Sequence, residues 1–112
     1  MNIVRMSSEG VAGETSGPAE GRLISGDPVF TTWSIEERDG LFAGLWQSTP
    51  GKWRIVYDEW EYCLILKGHS VITSDDGAEW HVQAGDRFIL RPGFRGTWEV
   101  IETTLKDYVI RL

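Results

Sequence analysis

EYCLILKGHSVITSDDGAEWHVQAGDRFILRPG, residues 61–93, is built of short apolar or alternating runs separated by turns that carry Gly or Pro. Runs with period two read as half-buried strands, and turn signals every eight to twelve residues are the spacing of an all-β sandwich or barrel. The strand runs are Glu61–Leu66, Ser70–Ser74, Glu79–Val82 and Arg87–Leu90. Between and after them come Lys67-Gly68, Asp75-Asp76-Gly77, Ala84-Gly85-Asp86 and Arg91-Pro92-Gly93. Asp76-Gly77 is the sharpest local signal, because a two-residue turn centred there needs φ > 0 and matches the right-handed twist of hairpin strands. That turn sets Asp75 opposite Ala78, Thr73 opposite Trp80, Ile72 opposite His81 and Val71 opposite Val82. His69 then shares a face with Val71 while His81 lies on the other, so the two histidines are expected not to meet on one ion.

Working outward, Leu41–Ser48, Lys52–Tyr57, Gly96–Ile101 and Asp107–Leu112 repeat the pattern, with Thr49-Pro50-Gly51 as a further break. Only Ser34–Asp39 (SIEERD) looks helical, for about one turn. The expectation is one all-β domain, an antiparallel jelly-roll barrel of about eight to ten strands with at most one short helix, since closure removes exposed sheet edges. Residues 1–21, rich in Gly, Ser, Glu and Ala, bury too little to offset their ordering entropy. They are expected as a flexible arm ahead of a barrel domain over residues 22–112, with an edge strand lent to a neighbouring subunit as the rival reading.

The 112 residues are 41% apolar, which suits one compact domain and rules out a two-domain enzyme. A formal charge of -6 opposes phosphate-bearing partners, so neither nucleic acid nor an anionic membrane is expected. No apolar run is long enough to span a bilayer and no basic leader with an apolar core is apparent, which points to a cytoplasmic protein. One Cys excludes an intrachain disulfide, and two His exclude three-histidine zinc chemistry by arithmetic. Six Trp must line a core, a pocket or a partner surface.

Glu61 and Gly68, with six residues between them, and the Gly-Asp, apolar run and proline turn of Ala84–Gly93 resemble the two signature stretches of the cupin superfamily. The wider set of Trp46, Thr49-Pro50-Gly51-Lys52-Trp53, Tyr57, Gly96-Thr97-Trp98-Glu99 and Lys106 resembles small single-domain cupins related to ureidoglycine aminohydrolase and to the ethanolamine-utilisation cupins. The resemblance spans roughly Leu41 to Leu112. It implies a metal site of two His and the Glu from the first stretch and a third His from the second. Aligned on Glu61, the first two positions hold Ile55 and Tyr57, or Arg54 and Val56; aligned on Gly93, the third holds Gly96. Glu61 alone is present, so no histidine-bound metal and no cofactor is expected. Mg²⁺ or Mn²⁺ on Glu59, Glu61 and water is the alternative.

If Glu61 points inward as the resemblance implies, period two brings Glu59, Tyr57 and Ile55 to the same wall, with Cys63 and Ile65 deeper. Gly96 is expected to leave room at the opposite wall and Trp98 to face it. The candidate site is therefore Glu59 and Glu61 as acid and base, with Tyr57, Trp98, Gly96 and Cys63 around the substrate. A buried carboxylate pair with no metal should raise the apparent pKa of at least one of them. Cys63 reads as a nucleophile or, with no His to activate it, as a small buried hydrophobe. Trp60, facing away, is the candidate dimer contact, and Glu99 with Lys106 a structural pair across adjacent strands. These residues predict a homodimeric protein that binds a small polar metabolite in the barrel. The alternatives are a metal-independent or carboxylate-metal hydrolase or isomerase, or a non-catalytic dimeric assembly module; whether the chain is an enzyme is left open.

Overall fold

Two strands of unusual length organise the molecule, and the computed structural model describes residues 2–112 around them. The elements are β1 (Glu14–Ser16), β2 (Leu23–Gly26), β3 (Phe30–Arg38), β4 (Leu41–Ser48), β5 (Gly51–Val56), β6 (Trp60–Ser74), β7 (Glu79–Gln83), β8 (Arg87–Leu90) and β9 (Arg95–Arg111). All are joined in one nine-stranded sheet whose pairings are all antiparallel. β6 and β9 run side by side along their length. The first half of β6 and the second half of β9 carry β8 on one flank and β4, β3 and β1 on the other. Their other halves carry β7 on one flank and β5 and β2 on the other. The sheet thus curls on itself as the expected jelly roll, closing its inner faces over Ile55, Cys63, Ile65, Ile72, Leu90, Trp98 and Val100.

The fold site is where β6 bends. Lys67-Gly68, expected as a turn between two strands, is instead a bulge inside one: the β6–β9 register shifts repeatedly between Ile65 and Ser70. Bulges add twist and bend a strand without ending its pairing. Gly68 has φ +97°, and a Cβ there would stand 2.2 Å from the Thr103 carbonyl oxygen, so only glycine lets β6 pass this close to β9. Beside it Ser70 and Thr104, both fully buried, satisfy each other through a 2.7 Å hydroxyl hydrogen bond.

Three further expectations are corrected. Ser34–Asp39 is not helical; it continues β3, bulged between Ser34 and Glu36, into a tight turn with φ of 52° at Asp39 and 78° at Gly40. Positive φ at both central residues is the type I′ geometry that twists correctly for a hairpin. The stretch read as a loose arm contributes β1, whose Glu14–Ser16 add to the edge of this chain's own β3. At Asp76-Gly77 the loop is three residues long. Gly77 N–H donates to the Ser74 carbonyl at 2.9 Å, Ser74 N–H donates to the Ala78 carbonyl at 2.8 Å, and only Gly77 has positive φ. The pairing slips by one: Ile72 opposes Trp80, Val71 opposes His81 and His69 opposes Gln83. A one-residue slip exchanges faces, so His69 and His81 lie on the same face.

Gly68→Ala is expected to cost roughly 2–4 kcal/mol of unfolding free energy in denaturant titration, through positive φ and overlap together. Gly93→Ala, at a similar φ of 96° but with open space around it, should cost only about 1 kcal/mol. Equal losses would show that the close approach at Gly68 contributes nothing.

Candidate functional site

Tyr57, Glu59 and Glu61 converge on a cavity of about 440 Å³, together with Trp98. They do not share one strand, as period two assumed: β5 ends at Val56 and β6 begins at Trp60, with a bend at Asp58–Glu59. The bend is held in place by backbone bonds to the proline turn, Tyr57 N–H to the Phe94 carbonyl at 2.9 Å and Gly93 N–H to the Tyr57 carbonyl at 2.6 Å. Aromatic side chains of Phe30, Phe42, Trp46, Trp53 and Tyr108 complete most of the wall.

At the floor, Glu61 is 3% exposed. Its Oε1 accepts from the Tyr57 hydroxyl at 2.5 Å and its Oε2 from Lys106 Nζ at 2.9 Å. Lys106, 4% exposed, lies 4.8 Å from the Trp46 ring centroid and 4.6 Å from that of Trp98. A desolvated ammonium over an indole gains about 2 kcal/mol or more from the ring quadrupole. Cys63 Sγ, 3.5 Å from Nζ, takes a second N–H. An ammonium has three donors, and the third meets no protein acceptor among the described residues.

This arrangement revises the expected chemistry. The carboxylate at Glu61 is answered by Lys106, not left as one of a like-charged pair; Glu59 sits half-buried at the bend, its Oε1 accepting the Asp58 N–H at 3.0 Å. Glu99 and Lys106 are on the same strand, not adjacent ones, and Lys106 belongs to the site. Gly96 does not widen the cavity: a Cβ there would meet the Thr73 carbonyl oxygen at 2.0 Å, so its missing side chain lets β9 approach β6. Cys63 is fully buried behind the cavity wall. Burial pushes its thiol up to about 12, against the pull of Lys106, which leaves no nucleophilic thiolate near neutral pH. Burial also holds the Tyr57 phenol well above 10.0, with the Glu61 charge adding to the effect. Burial alone would lower Lys106, but the negative charge that Cys63 and Glu61 can carry outweighs it and the ammonium ends above 10.5.

The donor set does not fit the metal that the family resemblance implies. Histidine is absent from it, and Glu61, the one residue of that set present, already accepts from the Lys106 ammonium. Sequence reasoning missed Lys106, Trp46 and Trp53. The signal for Lys106 was present, since Gly96, Trp98, Val100, Thr104, Lys106 and Tyr108 are alternately buried along β9, and inward Trp98 sets the phase for the whole strand. A larger cavity of about 570 Å³ lies between β7 and β8 over Ile72, Val82, Phe88 and Leu90. Its ionisable groups, His81, Asp86, Arg87 and Arg91, are all exposed, so converging buried polar groups are found only in the smaller one.

A family model described as EutQ-like cupin domain matches residues 36–108. Among solved structures, a protein of unknown function in the DUF861 family from Pseudomonas syringae superposes with a TM-score of 0.81 at 22% identity, covering 91% of this chain and 45% of that one. The EutQ protein of Clostridium difficile superposes with a TM-score of 0.68 at 16% identity, over 75% of this chain and 63% of that one. A DUF861-family protein from Thermotoga maritima is 31% identical over 57% of this chain and 73% of its own, with a TM-score of 0.56. The chain therefore spans less than half of the Pseudomonas protein and under two thirds of the Clostridium one. No curated protein matches it in sequence.

Cys63, Tyr57 and Lys106 all hold their protons more tightly in the folded state than their ordinary values of 9.0, 10.0 and 10.5 allow. Such groups contribute stability that is complete below the unfolded value and lost as pH rises through the folded one. Unfolding free energy should therefore fall above about pH 9, by up to ~1.4 kcal/mol per pH unit for each group engaged. In Cys63→Ala the decline should begin nearer pH 10. Denaturant titrations between pH 8 and 11 check this, and a flat profile in the unsubstituted protein would refute it.

Proposed function

Because the chain belongs to the EutQ-like cupin family, and because that family resemblance brings a barrel without bringing its metal ligands, we propose that it binds a small polar metabolite in the aromatic cavity over Lys106. The observation that carries this reading is a buried ammonium at the wall of a 440 Å³ cavity, whose hydrogen-bond acceptors among the described residues are Glu61 and Cys63, two for its three donors. Buried donors are costly to leave unpaired, and a ligand carboxylate or carbonyl oxygen satisfies the third. Trp46, Trp53 and Phe30, mutually in contact with ring centroids 4.7–6.1 Å apart, offer a flat apolar wall to the rest of the ligand. Lys106 supplies the fixed positive charge that a metal would supply in a histidine-bearing relative, so binding works without one.

Hydrolysis or isomerisation of the bound compound is a second reading. It rests on Glu59, a half-buried carboxylate at the mouth of the same cavity in an environment quite unlike that of Glu61. Ureido compounds and amino alcohols are the substrates to try first.

Thermal-shift screening against ureido compounds, amino acids, sugars and small carboxylates tests the reading. A ligand present at a hundred times its Kd should stabilise the protein by ~2.7 kcal/mol. The isosteric Glu61→Gln and the charge-removing Lys106→Met should each abolish that shift; a shift that survives both places the ligand elsewhere.

The protein is on this reading a homodimer. The outer face of the sheet presents Trp60, Tyr62 and Leu64 on β6, with Leu66 39% and Ile89 47% exposed. Apolar and aromatic surface of this kind is what dimer interfaces bury. Light scattering at micromolar concentration should give twice the chain mass of 12.7 kDa, and a monomeric mass would exclude the dimer.

A further inference from the structure

The hairpin β6–β7 carries both histidines of the chain on one face, away from the cavity. His69 Nε2 and His81 Nδ1 stand 3.1 Å apart. On its far side His81 Nε2 lies 3.1 Å from Glu79 Oε1. With the carboxylate accepting from Nε2–H, neutral His81 keeps its lone pair on Nδ1, aimed toward His69. A carboxylate behind an imidazole is the arrangement that fixes tautomer and basicity in metal-bound histidines.

We infer that His69 and His81, oriented by Glu79, form a surface binding site for a divalent transition-metal ion of the Cu²⁺ or Ni²⁺ type. Two nitrogens 3.1 Å apart, each about 2.1 Å from a shared ion, subtend an angle of about 95° there. That angle suits cis positions of a square-planar or octahedral centre better than a tetrahedral one, and imidazole favours copper and nickel over manganese. With that tautomer of His81 the 3.1 Å hydrogen bond places a proton on His69 Nε2, so binding moves the proton to His69 Nδ1, and rotation about χ2 turns the two lone pairs toward one ion. Among the described residues no group of three or more His, Cys, Asp or Glu is arranged to hold a metal. The protein therefore supplies two nitrogens and leaves the other positions to water or a small ligand. Glu102 lies opposite His69 and Glu99 opposite Val71 in the register, with Lys52 opposite Glu99 on β5, so three carboxylates, Glu79 included, and one ammonium lie around the pair.

The site can be tested on the full chain by calorimetric titration with Cu²⁺ and with Ni²⁺ at pH 7.5, with Mg²⁺ as control. One ion per chain is expected, with no heat from Mg²⁺, which prefers oxygen ligands. His69→Ala and His81→Ala should each weaken Ni²⁺ binding at least tenfold, and Glu79→Gln about tenfold. Ring ¹⁵N resonances should report contact through Nε2 of His69 and Nδ1 of His81. All three side chains are on the surface of the hairpin, so the variants should keep the unsubstituted melting temperature. No saturable binding of either metal, or binding undiminished in both histidine variants, would overturn the proposal.

Discussion

The pairing of β6 with β9 is the constraint on which everything else in this structure depends. Each strand is long enough to serve both halves of the jelly roll, so each must bend where the halves meet, and the bends must coincide. Gly68 allows the bend in β6, and the Ser70–Thr104 hydroxyl pair satisfies the polar groups trapped beside it. The same pairing builds the site. With Cys63 opposite Tyr108 and Ile65 opposite Lys106, the inward side chains of the two strands interleave, and the long Lys106 stem spans diagonally to Glu61. A shift of register by one residue would turn Lys106 outward and leave Glu61 buried without a countercharge.

An ion pair buried this deeply is a poor device for stability alone. Removing both charges from water costs several kcal/mol per ion, which the attraction between them offsets only with good geometry and further hydrogen bonds. Here the compensation is extensive: a phenol on one carboxylate oxygen, the ammonium on the other, and two indoles around the ammonium. Well-packed apolar residues of similar volume would give equal or greater stability. The pair sets a fixed charge at the cavity wall, where low polarity strengthens its interaction with an oxygen atom.

The fold was legible in the sequence because turn chemistry and period two are local. Asp76-Gly77 marked a hairpin, and alternating runs marked β4, β5, β7 and β8 within a residue or two and β6 and β9 each in two pieces. What was not legible depended on loop length and strand continuity. A Gly in a hairpin loop accommodates either a two-residue or a three-residue loop, and the structure uses the latter, which moved every pairing in β6–β7 by one and reunited the histidines. Asp39-Gly40 carries the same dipeptide in the tighter form, hidden by the helical appearance of SIEERD, whose charges in fact lie along a strand edge. Of the cavity wall, Tyr57, Glu59, Glu61 and Trp98 were legible through the family spacing. Lys106 escaped because the C-terminal region was read as two strands, which broke the phase that inward Trp98 sets.

Lys106 and the missing histidines belong to one physical substitution. A cupin cavity that holds a divalent ion needs imidazoles to bind it and a carboxylate to balance it; once the imidazoles are gone, a buried Glu61 would face the full cost of an unpaired charge. A lysine reaching from the neighbouring strand restores neutrality with a single cation tethered to the chain, and the aromatic residues around it take over the shielding that metal ligands would provide. A tethered ammonium differs from a metal ion in what it can do. It donates hydrogen bonds and can hold an anion or carbonyl in place, but it accepts no electron pair and, with its pKa held up against burial by Cys63 and Glu61, stays protonated. On the proposed function, the interior of this barrel serves recognition, and proton transfer would come from groups at its mouth.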